Sequence, residues 1–256
     1  MIVMLVLIMS VGAVCAADDI SDEIISNDGQ DTLEITQDDI YTADEPSFAD
    51  LTKEIENAGT TLDLTRDYAF NNETDNNTGI LITKDNFVLN GNGHTVDGKN
   101  LSRIFGIGGN NITLSNLVLI NANADKGGAV YSEVTVTLNN ITFIDNYASQ
   151  FGGAVGLFVD ATININNSRF INNNANTGPS IYVQNGNLCI YNTEFTSNVH
   201  IKGGQVNLNN AIAYINNATF ANIVSDYSPA IQLGKAKALT LLNSKFIKMS
   251  LKHFPV

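Results

Sequence analysis

Leu138-Asn139-Asn140-Ile141-Thr142-Phe143-Ile144-Asp145-Asn146, followed by Gly152-Gly153-Ala154-Val155, is the stretch that decides the fold, because it recurs. An Asn stands three residues before a large apolar residue at Asn116/Leu119, Asn140/Phe143, Asn167/Phe170, Asn192/Phe195, Asn217/Phe220 and Asn243/Phe246. The steps between these asparagines are 24, 27, 25, 25 and 26 residues. Asn90, 26 residues before Asn116, is placed at the head of the column. A second marker keeps step at Gly127-Gly128, Gly152-Gly153, Gly178-Pro179, Gly203-Gly204 and Ser228-Pro229. Self-similarity at this period means a solenoid or another repeat array.

Working outward from that unit, each repeat holds three short segments of β-prone residues. Val136-Thr137-Leu138 is matched by Ile163-Asn164-Ile165, Leu188-Cys189-Ile190 and Leu239-Thr240-Leu241. Ala129-Val130-Tyr131 is matched by Ala154-Val155-Gly156, Ser180-Ile181-Tyr182 and Ala230-Ile231-Gln232. The third segment follows the Asn, as in Ile141-Thr142-Phe143. Such short alternating runs read as strands. Helical repeats would need two amphipathic stretches per unit, for which the Gly-Gly and Asn runs leave no room. The expected fold is therefore all-β: a single-stranded parallel β-helix of about seven coils, right-handed by the general preference of β-crossover connections.

Val136, Leu138 and Asn140 share a parity, so alternation predicts that Asn140 points inward. Asn90, Asn116, Asn140, Asn167, Asn192, Asn217 and Asn243 would then form a buried amide ladder, each side chain bonded to those above and below. On that reading Asn167→Leu costs more stability than Asn173→Leu in the adjacent loop. The position between Asn and Phe (Val118, Thr142, Arg169, Glu194, Thr219, Lys245) is mixed and mostly polar, as a solvent face should be.

Residues 1–17 have the short apolar run and small-residue end of a signal peptide. Residues 18–46 read as an acidic, disordered linker. Between Asp18 and Asp50 there are twelve carboxylates and no Lys or Arg, whereas beyond residue 100 there are six carboxylates and nine basic residues. The net charge of −13 thus belongs to the N-terminal tail, and no basic face exists to neutralise phosphates, which excludes a nucleic-acid partner. Residues 47–79 read as an N-terminal cap of helix, strand and polar loop. Ser47 is the expected N-cap and Gly59 the expected C-cap, with Phe48, Leu51, Ile55 and Ala58 on one face. The helix would cover the first coil's apolar cross-section. The β-helix proper is assigned to residues 80–256, with truncation expected at the C-terminus because no cap is evident there. Cys15 falls in the signal peptide and Cys189 reads as an unreactive surface thiol.

Gly127-Gly128-Ala129-Val130 and Gly152-Gly153-Ala154-Val155, with Phe143-Ile144-Asp145-Asn146, Phe170-Ile171-Asn172-Asn173 and Phe195-Thr196-Ser197-Asn198, resemble the GGA[ILV]…FxxN repeats of polymorphic outer-membrane proteins. Together with Gly91-Asn92-Gly93-His94-Thr95-Val96-Asp97-Gly98, they look most like the adhesin-like surface proteins of methanogenic archaea. The resemblance spans about residues 47–250, and later coils depart from it at Asn222-Ile223 and Lys248-Met249. It implies a pectin-lyase-like solenoid and a secreted, cell-surface, non-catalytic role in attachment, with an extracellular glycan or cell-surface protein as partner. Membrane contact is expected only through the signal peptide or a missing anchor.

The same fold hosts polysaccharide lyases and glycoside hydrolases, so an enzyme is the rival reading, and a structural envelope component is a third. Glycoside hydrolysis needs two carboxylates roughly 5–10 Å apart. No stacked acidic pair emerges: Asp145 has Asn121 and Asn172 in the flanking coils, and Glu194 has Arg169 and Thr219. No catalytic, cofactor or metal-binding residue is assigned and no cofactor is expected; His94 and Asp97 are merely close in sequence. Tyr131, Tyr147, Tyr182 and Tyr191 are the aromatic residues able to stack on sugars. Seven asparagines fit N-x-[ST]: Asn72, Asn76, Asn100, Asn111, Asn140, Asn166 and Asn217. Asn72 and Asn76, in the polar loop, are the candidate N-glycosylation acceptors.

Overall fold

The structure is a computed structural model that describes residues 45–197 and 199–251. The signal peptide, most of the acidic linker, and the last five residues lie outside the described residues. Among the described residues one helix, α1 (Phe48–Asn57), precedes strands that all pair in parallel. The main sheet stacks Thr61–Asp63, Val88–Asn90, Ile112–Ile120, Val136–Ile144, Thr162–Asn166, Asn187–Thr196, Ile212–Ala221 and Ala238–Leu242 in that order. That is eight rungs rather than the seven expected. The extra one is Thr61–Asp63, which pairs with Val88–Asn90 although its sequence reads as part of the cap.

A second, seven-stranded sheet runs from Ile80–Ile82 to Ile231–Leu233 and carries the Ala-Val-Tyr segments. A short third arm comes from the residues after FxxN, at Asn123–Lys126, Tyr147–Phe151 and Asn174–Thr177. Those residues are polar and read as loop from sequence. They form strands because each finds a paired copy in the next coil, such as Tyr147 beside Asn123 and Asn174.

The core is a set of one-residue columns. Phe143, Phe170, Phe195 and Phe220 are fully buried and stack with ring centroids 4.6–4.8 Å apart and planes within 11° of parallel. Register continues the column upward through Leu119 to Val96 and downward to Phe246. Centroid spacings of this size match the inter-strand spacing of about 4.8 Å, so a ring every coil is in stacking contact without further adjustment.

The corners explain the asparagine content. Among the described residues, fifteen of the eighteen non-glycine residues with positive φ are asparagine. Fifteen of the eighteen, Asp145 and Lys248 among them, fall in three columns: Asn116/Asn140/Asn167/Asn192/Asn217/Asn243, then Asn121/Asp145/Asn172/Asn222/Lys248, then Asn86/Asn111/Asn185/Asn210. Left-handed backbone strains most L-residues, whereas a short side chain able to bond locally eases it. The Gly-Gly marker has two separate causes. Gly127, Gly152 and Gly178 have φ of 56°, 66° and 62°. At Gly153 a Cβ would sit 2.2 Å from the Pro179 carbonyl oxygen and 2.4 Å from that of Asn174, so the backbones can approach only without a side chain.

At the N-terminal end Ser47 and Asp50 form a capping box. The C-cap is Ala58 in extended conformation, not Gly59. Lys84 reaches up from the coil below and donates to the carbonyls of Ile55, Glu56 and Ala58, which satisfies the helix C-terminus that a glycine turn would otherwise close. Phe48, Leu51 and Ile55 are buried against the first coil.

Candidate functional site

The asparagine column lies on the outside. Asn140 is exposed, with φ of 54°, and Val136–Ile144 has buried residues at Val136, Leu138, Ile141 and Phe143. Alternation therefore holds on each side of Asn140 but does not run through it. A single left-handed residue turns the chain and resets the parity, so Leu138 and Ile141, three apart, both face the core. The expectation of an inward amide column is corrected on this ground.

The outward amides do bond from coil to coil, in three runs. Asn140 Nδ2 donates to Asn116 Oδ1 at 2.7 Å, and Asn116 to Asn90 at 2.8 Å. Asn217 donates to Asn192 at 2.9 Å and Asn192 to Asn167 at 3.1 Å. Asn167 then donates to Asn139, not to Asn140, at 3.2 Å, and Asn243 to Asn216, not to Asn217, at 2.9 Å. Asn90 is likewise not at the corner position: it pairs with Ser115, and Asn92 is the left-handed residue of that coil. Asn90, Asn139 and Asn216 thus share one setting, the last strand residue before the corner.

Each asparagine amide carries two N–H donors and one carbonyl oxygen with two lone pairs. A coil-to-coil bond uses one N–H and one lone pair, which leaves one of each for solvent or a ligand. Two open depressions run beside the column. One, of about 520 Å³, is lined by Asn167, Asn192, Asn217, Ser168, Thr193, Arg169, Glu194 and Thr219. The other, of about 360 Å³, is lined by residues that include Asn92, Asn116, Asn140, Val118 and Thr142. In the larger one Arg169 Nε lies 3.4 Å from Glu194 Oε2, across paired positions of adjacent coils. Planar amides repeat along the solenoid axis with the spacing of the coils, flanked in the larger depression by one guanidinium and one carboxylate.

Asn146 and Asn173 are fully enclosed. Asn146 Nδ2 donates to Leu119 O and Asn173 Oδ1, both at 2.9 Å, and its Oδ1 accepts from Ala122 N at 3.0 Å. Asn173 Oδ1 also accepts from Asn146 N, and its Nδ2 donates to Phe143 O at 3.0 Å. They are the Asn of FxxN, which sequence alternation leaves in a loop. The signal that could have found them is the restriction of FxxN to consecutive coils.

Half-buried Tyr131 and buried Tyr182, the latter therefore closed to a sugar, belong to a cluster with Phe151 and Phe158 on and beside the second sheet. Phe158 folds over Gly156, which lies in register between the two tyrosines, and its ring centroid is 5.4 Å from that of Tyr131 and 5.5 Å from that of Tyr182. Arg103 lies 4.9 Å from the Tyr131 ring centroid, and Lys126 lies 5.1 Å from that of Phe158. Burial, with Glu133 accepting its hydroxyl proton, pushes the Tyr131 phenol up to about 12. The Tyr131 and Phe158 planes are 22° apart, so these rings turn their faces to each other. Tyr147 and Tyr191 are exposed, and Tyr191 lies 5.5 Å from Tyr214.

His94 is bonded to Asp67, at 2.9 Å, rather than to Asp97, which pairs with Lys99. Half-buried Cys189 has its thiol pushed up by burial, away from the reactive thiolate. Among the described residues no group of three or more His, Cys, Asp or Glu is placed to hold a metal ion.

No family model and no curated protein matches this chain. Among solved structures, the L. reuteri 53608 SRRP aligns over 81% of this chain and 99% of its own, at 15% identity and a TM-score of 0.38. That likeness is too slight to carry an argument. No helix among the described residues is long and apolar enough to cross a membrane.

Proposed function

We propose that this chain is a non-catalytic, adhesin-like protein of the cell exterior that attaches to cells by binding an extended, hydroxyl-rich glycan along its outer asparagine corner. The observation that supports this reading is the outward amide column with its adjoining polar depressions. Sugar hydroxyls both donate and accept, and the free N–H and lone pair of each amide match that dual character. Repetition once per coil, at about 4.8 Å, suits a polymer lying along the axis rather than a compact ligand. The exposed Arg169–Glu194 pair adds charged partners within the same depression.

The test is retention of the purified full chain on an array of immobilised polysaccharides, beside a variant carrying Asn167→Gly, Asn192→Gly and Asn217→Gly. Glycine keeps the left-handed corners while deleting the amides. A tenfold or greater loss of binding with the fold retained is expected. Unchanged binding by the triple variant would remove the corner from the site. Release of unsaturated or reducing ends in the same incubation would replace attachment by lyase or hydrolase action. Binding to no glycan and no cell would favour an envelope component.

A further inference from the structure

Seven asparagines carry the acceptor pattern for N-linked sugars, and the structure separates them. Asn111, Asn140 and Asn217 each give an amide N–H to the preceding coil, through Asn86, Asn116 and Asn192. The hydroxyls that complete the Asn100 and Asn166 patterns belong to Ser102 and Ser168, which are buried and donate to the carbonyls of Arg103 and Asn166. Asn72 lies in a closed helical turn in which Thr74 N and Asp75 N both donate to Asn71 O, and the Thr74 hydroxyl is turned to Asp75.

Asn76 differs from all six. Asn76, Asn77 and Thr78 are all exposed. Both the backbone N–H and the hydroxyl of Thr78 donate to Asn76 Oδ1, the first at 3.1 Å. The contact brings the hydroxyl of the acceptor pattern onto the amide, and no acceptor holds the Asn76 Nδ2 protons among the described residues. The loop is held out by Asp75, whose carboxylate accepts from Phe48 N at 3.0 Å, Ala49 N at 2.8 Å and Asn71 N at 2.8 Å, at the N-terminus of α1. An open depression of about 270 Å³ lies between Asn76 and the helix, with Thr52, Lys53 and Gly79 in its wall. A saccharide there meets no coil and breaks no coil-to-coil bond.

We infer that Asn76 is the site of N-linked glycosylation on this chain, an inference that rests on the proposed export. Asn76 Nδ2 forms a bond to the anomeric carbon of a saccharide carried on a polyprenyl phosphate or pyrophosphate. The bond from that carbon to the phosphate oxygen breaks, the lipid phosphate leaves with the electron pair, and one amide proton passes to a base of the transferring enzyme. The first sugars would lie over α1, at the opposite end from the last coil.

The test is peptide mapping of the full chain recovered from its native cells, with protease shaving of intact cells as a separate readout of exposure. Trypsin releases residues 67–84 as one peptide that holds both Asn72 and Asn76. Electron-transfer fragmentation is expected to place a saccharide on Asn76. Thr78→Ser should retain it, Thr78→Val should lose it, and Asn72→Gln should leave it unchanged. An unmodified peptide from shaved surface protein would overturn the inference while leaving export intact. An unmodified peptide from protein resistant to shaving would overturn both. A saccharide on Asn72 or on a coil asparagine in place of Asn76 would overturn the site alone.

Discussion

Two pairs of asparagines, six residues apart in two successive coils, do opposite work in this solenoid. Asn140 and Asn167 stand at a left-handed corner with their amides in solvent. Asn146 and Asn173 stand inside with every polar atom engaged by backbone or by each other. The first set is selected by backbone conformation and the second by hydrogen-bond capacity. An exposed amide bond exchanges with water and nets little, whereas an enclosed polar group that loses its partner bears the whole desolvation cost.

The largest effect is expected at Asn173. Asn173→Leu removes the acceptor of both Asn146 N and one Asn146 amide N–H inside the core, at roughly 1–3 kcal/mol for each. Chemical denaturation beside the wild type measures it, and a loss no greater than that of Asn167→Leu would break the contrast. This reverses the order expected from strand alternation. Asn167→Leu comes next, at about 1–2 kcal/mol, mostly from forcing a branched side chain into left-handed backbone. Asn167→Gly is smaller, below about 1 kcal/mol, because glycine accepts the corner and only an exposed bond is lost. Equal losses for the Leu and Gly variants would show that the amide, not the backbone, is what the corner needs.

The smallest effect is a pH dependence at Asp67. The backbone N–H of Thr95, and after it the His94 ring, hold this carboxyl below the usual carboxylate range. The folded chain binds that proton less readily than the unfolded one. The stabilisation is therefore present above the unfolded value and is lost as pH falls through the lower, folded one. Between about pH 5 and about pH 3 the melting temperature of the wild type should fall more than that of Asp67→Asn. Parallel curves would remove the coupling.

Much of the fold is legible in the sequence. The Phe column, the Gly-Gly marker and the helix start at Ser47 all follow from local rules: strand alternation, positive φ and N-capping. The candidate site is less so. Asn116, Asn140, Asn167, Asn192, Asn217 and Asn243 are visible as a column, yet alternation turns them inward. The polar segments Asn123–Lys126 and Asn174–Thr177 become strands only because neighbouring coils supply their partners.

By itself, then, the sequence determined the period, the parallel stacking and the identity of the columns, because each depends on residues within one coil and their recurrence. Only the tertiary structure decided which asparagines are enclosed and which amide meets which. One left-handed residue shifts the facing of everything after it, so Ile141 is buried where alternation places Asn140. Whether Asn167 reaches Asn139 or Asn140 then depends on how two coils lie against each other, a relation that no single coil contains.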